Sequence, residues 1–399
     1  MALNTFITIW LATLACLWPG HARPNYGKGL TVLISIDGFR ADYLSLGNMP
    51  TLARLAKDGA VAEGLKPPFP SLTFPSHVSI VTGRPPDRHG IVHNAMRDPT
   101  IKDQHFTLSA RAAVTDARWW REAIPVWVTA ARAGKTSATM FWPGSEAEIG
   151  GIRPTFWEPY QDISSDARVE RLLARLQRPD PADFATLYFS EVDIAGHIFG
   201  PRSPEVAASL ARVDTALAAF LEGLTKLGVV ANLIIVSDHG MADASTERVI
   251  DVHSDLSGFA SARGLWADAL GGFEVSAAEE KALLAALQKR PHMRCWRKSE
   301  IPATYAFGRH RRVPAIVCLA DTGWRISFSE TLRPISGLHG YDPDDPSMWG
   351  LFIAQGPRIR PARLPLIANL DVYPLLCRLL DILPEDNEAS TALADTIVR

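Results

Sequence analysis

Three short apolar runs along the chain each end in an acid: TVLISIDG reaches Asp37, ATLYFSEVD reaches Asp193, and NLIIVSDHG reaches Asp238. Runs of this length, rich in β-branched and large apolar residues, predict strands buried on both faces. Between them the apolar positions change period. In Pro204–Leu227 (PEVAASLARVDTALAAFLEGLTKL) they recur at helical spacing, and Gly228 supplies the stop. A second helical pattern, VWVTAARA, stops at Gly134, and TSATMFW begins a strand after it. Strands alternating with helices predict an α/β fold, a mostly parallel central sheet with helices on both faces. Ligands of such sheets gather beyond the carboxyl ends of the strands, where all three acids project. The stretch from about 241 to 335 lacks this regularity and reads as a loop-rich elaboration packed on the core.

Composition narrows the picture. With 399 residues, 47% of them hydrophobic, the chain has ample material for a core and is not a disordered segment. The formal net charge is only -2 and Lys and Arg are scattered, so no nucleic-acid-binding surface is expected. The segment RAGKTSA (132–138) fails as a phosphate loop, because Thr129 stands where that loop needs its first glycine. The apolar stretch from Phe6 to Trp18 is too short to span a membrane, and Pro19, Gly20 and Ala22 follow it. It reads as a signal peptide over residues 1–22. The mature chain, 23–399, is then expected to be one exported domain, periplasmic or secreted, unanchored and monomeric. Three cysteines remain: Cys377 lies in the helical pattern DVYPLLCRLLDIL and packs in a core, while Cys295 and Cys318 are expected to form a disulfide in an oxidising compartment.

The acids have histidine company. Asp193 and His197 stand four residues apart in EVDIAGHIFGP, close enough for one turn to present both to the same ion. Asp238 and His239 are adjacent in SDHGM, and Asp37 and His339 are each followed by glycine. Six oxygen and nitrogen ligands suit two borderline divalent ions. Singly, Asp37 reads as a helix cap, His197 as a loop histidine and SDHG as a turn; three strand-end acids with histidine partners are hard to assemble by chance. In FPSLTFPSH, Thr73 falls where a helix starts and Pro75 suits its first turn. An ordinary N-cap occupies the same position.

These motifs, with VTGRPPDRHGIVHNAMRDP, MFWPGSE, GLHGYDP and NLDVYPLLCRLLDILP, follow one another in an order that resembles the nucleotide pyrophosphatase/phosphodiesterase family of the alkaline phosphatase superfamily, especially its compact bacterial members. The resemblance spans nearly the whole mature chain. It implies an alkaline-phosphatase-like fold holding two Zn2+, one on Asp193, His197 and His339 and the other on Asp37, Asp238 and His239. Thr73 would touch the second ion as nucleophile, with backbone N–H groups near Phe74 receiving phosphate oxygens. Asn94 would donate to a phosphate oxygen, Phe74 and Tyr188 would sandwich a nucleobase, and Trp142 would wall the pocket. The implied substrates are small-molecule nucleotides, cleaved to nucleoside monophosphates.

The chain departs from the family pattern Lys-Thr-Phe-Pro-Asn at Leu72 and Ser76, and neither change removes a metal ligand. His77, His89 and His93 are expected to be structural or to support the metal ligands from behind. Arg40 and Arg84 are the cations whose entry into the site would favour phosphate monoesters. The competing readings are a phosphomonoesterase, a lipid head-group phosphodiesterase on the same scaffold, and a noncatalytic metal-stabilised binding protein, which would have lost Thr73 or a ligand.

Overall fold

The computed structural model describes residues 29–329 and 333–399, so the expected leader over 1–22 lies outside the described residues. All three acid-ended runs form strands: Leu30–Ile36, Phe184–Phe189 and Ala231–Val236. Leu30–Ile36 lies between the other two and pairs in parallel with both. Its residues alternate between two cores. Leu33 shares one with Ile80 and Trp127, while Val32, Ile34 and Ile36 share the other with Leu210, Val213 and Leu217 of the helix Pro204–Leu227. Because both faces are covered, the run is buried at every position, Thr31 and Ser35 included, instead of alternating between buried and exposed.

The full sheet has eight strands in the order Ala362–Leu364, Ala60–Ala62, Phe352–Gln355, Ala231–Val236, Leu30–Ile36, Phe184–Phe189, Ser137–Met140, Phe156–Glu158. Phe352–Gln355 runs antiparallel to its neighbours; the other pairs are parallel. This is the expected α/β architecture. Helix Pro204–Leu227 begins where Ser203 accepts a hydrogen bond from the Val206 N–H and ends at Gly228, in the left-handed conformation.

The stretch 241–335 is more ordered than its pattern suggests. Arg263–Trp266, Leu270–Glu274, Ile316–Ala320 and Met293–Arg297 form a four-stranded antiparallel sheet. Phe273 and Ile316 of this sheet share a third core with Leu283 and Leu287 of the helix Ala277–Leu287. Strands of four or five residues are too short to display a clear period, and Gly271 and Gly272 inside one of them read as a loop signal. Cys295 and Cys318 face each other across two of these strands and are disulfide-bonded, while Cys377 is buried as a free thiol. No helix among the described residues is long and apolar enough to cross a membrane.

Candidate active site

The strand ends deliver the ligands. Asp37 follows Ile36 directly, and Asp238 and His239 follow the neighbouring strand Ala231–Val236. Asp193 and His197 lie one turn apart on the helix Glu191–Phe199, so helical periodicity puts them on one face. His339 follows the two-residue strand Gly337–Leu338. The close approach of the Asp37 segment to the helix Glu191–Phe199 requires glycine at position 38. Its φ is +67°, and a Cβ there would sit 2.8 Å from the Asp193 Cα.

The rings of His239 and His339 stack with centroids 3.6 Å apart. His239 Nε2 lies 3.1 Å from Asp238 Oδ2, 3.5 Å from Asp37 Oδ1 and 3.3 Å from Thr73 Oγ1. Asp193 Oδ1 lies 3.5 Å from His197 Nε2 and 3.7 Å from His339 Nε2. Each histidine turns its Nδ1 to a backbone carbonyl: His197 to Gly337, His239 to Gly240 and His339 to Ser71, at 2.8–2.9 Å. A carbonyl only accepts, so Nδ1 carries the proton and the neutral imidazole presents its Nε2 lone pair to the site. Asp37 Oδ1, Asp193 Oδ1 and Asp238 Oδ2 are buried without a hydrogen-bond donor. Unpaired carboxylate oxygens converging with imidazole lone pairs fit divalent cations.

Two compact groups result, Asp37/Asp238/His239 and Asp193/His239/His339. The first matches the expected set. In the second, His239 joins the expected Asp193 and His339, its ring stacked on that of His339. His197 adjoins that group from the rim, partly exposed, its ring 5.0 Å from that of His339.

Charge is concentrated here. Burial, then the neighbouring Asp238 and Asp193, push the Asp37 carboxyl well above the usual range. Burial works to lower His239, but Asp238, Asp37 and Asp193 outweigh it and raise it to about 10. The acids therefore favour a second proton on Nε2, the position a metal ion would take. His339 is held well below its ordinary value by burial and by His239 and His197.

Thr73 opens the helix Thr73–Thr82, preceded by Leu72 in extended conformation. The N–H of Phe74 is already engaged, donating to Asn94 Oδ1 at 2.9 Å. This bond ties the Asn94 amide to the start of the helix and leaves Nδ2 as its donor end. Beneath the helix, His77 is fully buried, with Nδ1 2.8 Å from Thr73 O and 3.3 Å from Asp238 Oδ2, and Nε2 2.8 Å from Ser35 Oγ. His89 meets Ser79, and His93 stacks on Trp266, away from the ligand groups.

A cavity of about 430 Å3 adjoins Thr73, lined by Phe74, Trp142 and Tyr188 from the expected set and by Tyr160, Arg111 and Glu146, which sequence reasoning missed. Trp142 is buried and its indole N–H donates to His77 O. Tyr188 is 9% exposed, and its hydroxyl donates to Asp37 Oδ2 at 2.5 Å. The more open ring is that of Tyr160, 43% exposed. Arg40 is turned to Asp42 and Met241 O, and Arg84 to Asp386. The cation that lines the cavity is Arg111.

Strand-end acids and histidines in two groups beside a helix-mounted threonine, on a largely parallel sheet, define an alkaline-phosphatase-like hydrolase. The pattern described as type I phosphodiesterase / nucleotide pyrophosphatase matches residues 31–342. The chain belongs to this family and is an enzyme of its phosphodiesterase class. It is 34% identical to an uncharacterized pyrophosphatase/phosphodiesterase of Schizosaccharomyces pombe, over 92% of this chain and 80% of that one. It is likewise 34% identical to a bis(5'-adenosyl)-triphosphatase of Xenopus laevis, over 95% and 84%. Among solved structures, murine ectonucleotide pyrophosphatase/phosphodiesterase 5, an inactive threonine-to-alanine variant in complex with AMP, superposes with a TM-score of 0.87 at 30% identity, covering 92% of this chain and all of that one.

Proposed function

We propose that the enzyme cleaves phosphodiester or pyrophosphate bonds of nucleotides through a covalent threonyl nucleotide on Thr73, releasing a nucleoside monophosphate. The observation that carries this reading is the place of Thr73 Oγ1, 3.3 Å from His239 Nε2 and on the wall of the cavity. Thr73 Oγ attacks phosphorus as its proton is lost, and the bond to the leaving oxygen breaks with its electron pair. Water then attacks the same phosphorus, loses a proton, and expels Thr73 Oγ, which is reprotonated. Asn94 Nδ2 donates to a non-bridging oxygen. Phe74 and Tyr160 hold the base, with Tyr188 and Trp142 closing the wall behind it. Two zinc ions, one on Asp37, Asp238, His239 and Thr73 and one on Asp193, His197 and His339, would supply activation of hydroxyl and water and neutralisation of developing charge.

We also infer the compact bacterial type and export as a single-domain monomer, periplasmic or secreted. The Cys295–Cys318 bond supports an oxidising compartment. The relatives quoted are eukaryotic, so the bacterial assignment rests on the motifs. The test of the covalent route is an acid quench during turnover of the p-nitrophenyl ester of thymidine monophosphate, followed by peptide mass analysis. A nucleotidylated or phosphorylated peptide containing Thr73 is expected. Its absence from active wild type, or unchanged turnover in Thr73→Ala with its metals retained, overturns the route.

A further inference from the structure

The charged residues lining the cavity beside Thr73 are Arg111 and Glu146, set among aromatic and aliphatic walls. Both oxygens of Glu146 are engaged. Oε1 accepts from Arg111 Nη1 at 2.8 Å and from the Tyr160 N–H at 3.2 Å, and Oε2 accepts from Arg111 Nη2. Glu146 is 5% exposed and three of the roughly four acceptor positions of its carboxylate are filled, so at most one, on Oε2, is left for a ligand. Arg111 is different. Its side chain is 48% exposed, and the two bonds to Glu146 leave the other guanidinium N–H groups, Nε among them, without a partner among the described residues. The ion pair thus turns a surface that could have read either donors or acceptors into one that offers mainly donors.

We propose that Arg111 is a specificity-determining residue that makes the enzyme prefer nucleotides with oxo bases, guanine and uracil, over those with amino bases, adenine and cytosine. This rests on the nucleotide reading above. Guanine offers O6 and N7 and uracil offers O4 to a guanidinium, whereas adenine and cytosine carry an exocyclic amino group in the corresponding place. That amino group would meet guanidinium donors, and the one carboxylate nearby has at most one acceptor position left. Stacking is indifferent to this distinction, because every base has an aromatic face. The preference is therefore one of degree: amino bases still enter, with the hydrogen bonds of Arg111 unmade.

Isothermal titration of the zinc-loaded enzyme with four nucleoside monophosphates reads the inference without turnover. GMP is expected to bind about tenfold more tightly than AMP, and UMP about tenfold more tightly than CMP; comparing within purines and within pyrimidines removes ring size. In Arg111→Met both ratios fall to within about twofold, and Arg111→Lys lies between. Amino bases binding as tightly as oxo bases to wild type overturns the proposal, whether or not the variants fold. So do wild-type ratios that survive in Arg111→Met. Turnover of bis(p-nitrophenyl) phosphate, a diester without a base, is measured alongside: its absence in wild type sinks the phosphodiesterase reading, while its presence with no base preference sinks only this one.

Discussion

The hydroxyl of Tyr188 donates to Asp37 Oδ2 at 2.5 Å, so a ring that lines the cavity is bound by its oxygen to an acid of the Asp37/Asp238/His239 group. Tyr188 thus supports that acid as well as lining the cavity. Replacing it by phenylalanine keeps the ring and removes only the bond that orients Asp37. Loss of a residue that orients a metal ligand typically costs about tenfold or more in metal affinity or activity. Tyr188→Phe is expected to lower kcat about tenfold and to shed zinc more readily in a chelator titration, with KM for a nucleotide ester changed less than about twofold. A raised KM with unchanged kcat and metal retention would instead assign Tyr188 to the base.

Metal removal has a signature independent of turnover. Asp37 Oδ1, Asp193 Oδ1 and Asp238 Oδ2 are buried without donors, and cations that bind only the folded state stabilise it by mass action. Protein purified without chelator is expected to contain about two zinc ions per chain, from its mixed His and carboxylate donors. Chelation lowers Tm and abolishes turnover, and zinc restores both. Full activity with less than about one zinc per chain contradicts the zinc assignment.

Much of this site was legible because it is built from strand ends. The strands before Asp37, Asp193 and Asp238 are buried on both faces, so each is written as a mostly apolar run; Asp37 and Asp238 follow their strands closely, while Asp193 lies on the helix that starts just past its own, and adjacent parallel strands bring these ends together. The limits of the helix Pro204–Leu227 were visible for a similar reason, since Gly228 is a local signal. Arg111, Glu146 and Tyr160 carry no such mark. They lie 35 and 14 residues apart in the chain, and only tertiary packing joins them. That His239 also lies against Asp193 and His339 was equally hidden, because ring stacking has no counterpart in spacing. Tyr188 drew attention by lying on a recognisable strand, whereas Tyr160 sits after a three-residue one.

With Phe74 and Tyr160 both lining the cavity, a preference for nucleotide diesters over esters without a base is expected. Stacking on an aromatic side chain contributes about 1–3 kcal/mol per base, enough for about tenfold discrimination. Wild type is expected to show kcat/KM at least about tenfold higher for the p-nitrophenyl ester of thymidine monophosphate than for bis(p-nitrophenyl) phosphate or p-nitrophenyl phosphate. In Phe74→Ala/Tyr160→Ala the advantage over the base-free diester shrinks to within about threefold. An advantage that survives both truncations shows that stacking is not its cause, and an equal or better rate on the monoester overturns the diester assignment.

Arg312 ties the segment carrying Asn94 to the elaboration. Its side chain is fully buried; Nε donates to Asp98 Oδ2 at 2.6 Å, and Nη1 donates to Gly90 O at 2.7 Å and Trp119 O at 2.9 Å, on either side of Asn94 in the chain. Burial works to raise the Asp98 carboxyl, but hydrogen bonds from Arg311, Thr100 and Arg312 override it and hold Asp98 well below the usual range. Removing one partner of a buried pair typically costs about 3–5 kcal/mol, so Arg312→Met is expected to lower Tm by several degrees at pH 7. The sign of the pH dependence follows from the depressed carboxyl. Its stabilisation is complete above the unfolded aspartate pKa of about 3.9 and is lost as pH falls below that value toward the folded one. The gap between wild type and Arg312→Met should therefore be widest near neutrality and narrow steadily from about pH 5 downward. Thermal melts of both proteins at pH 7, 5 and 3.5 check this: equal Tm values at pH 7, or a gap that widens in acid, would show that the Arg312–Asp98 pair does not stabilise the segment that presents Asn94.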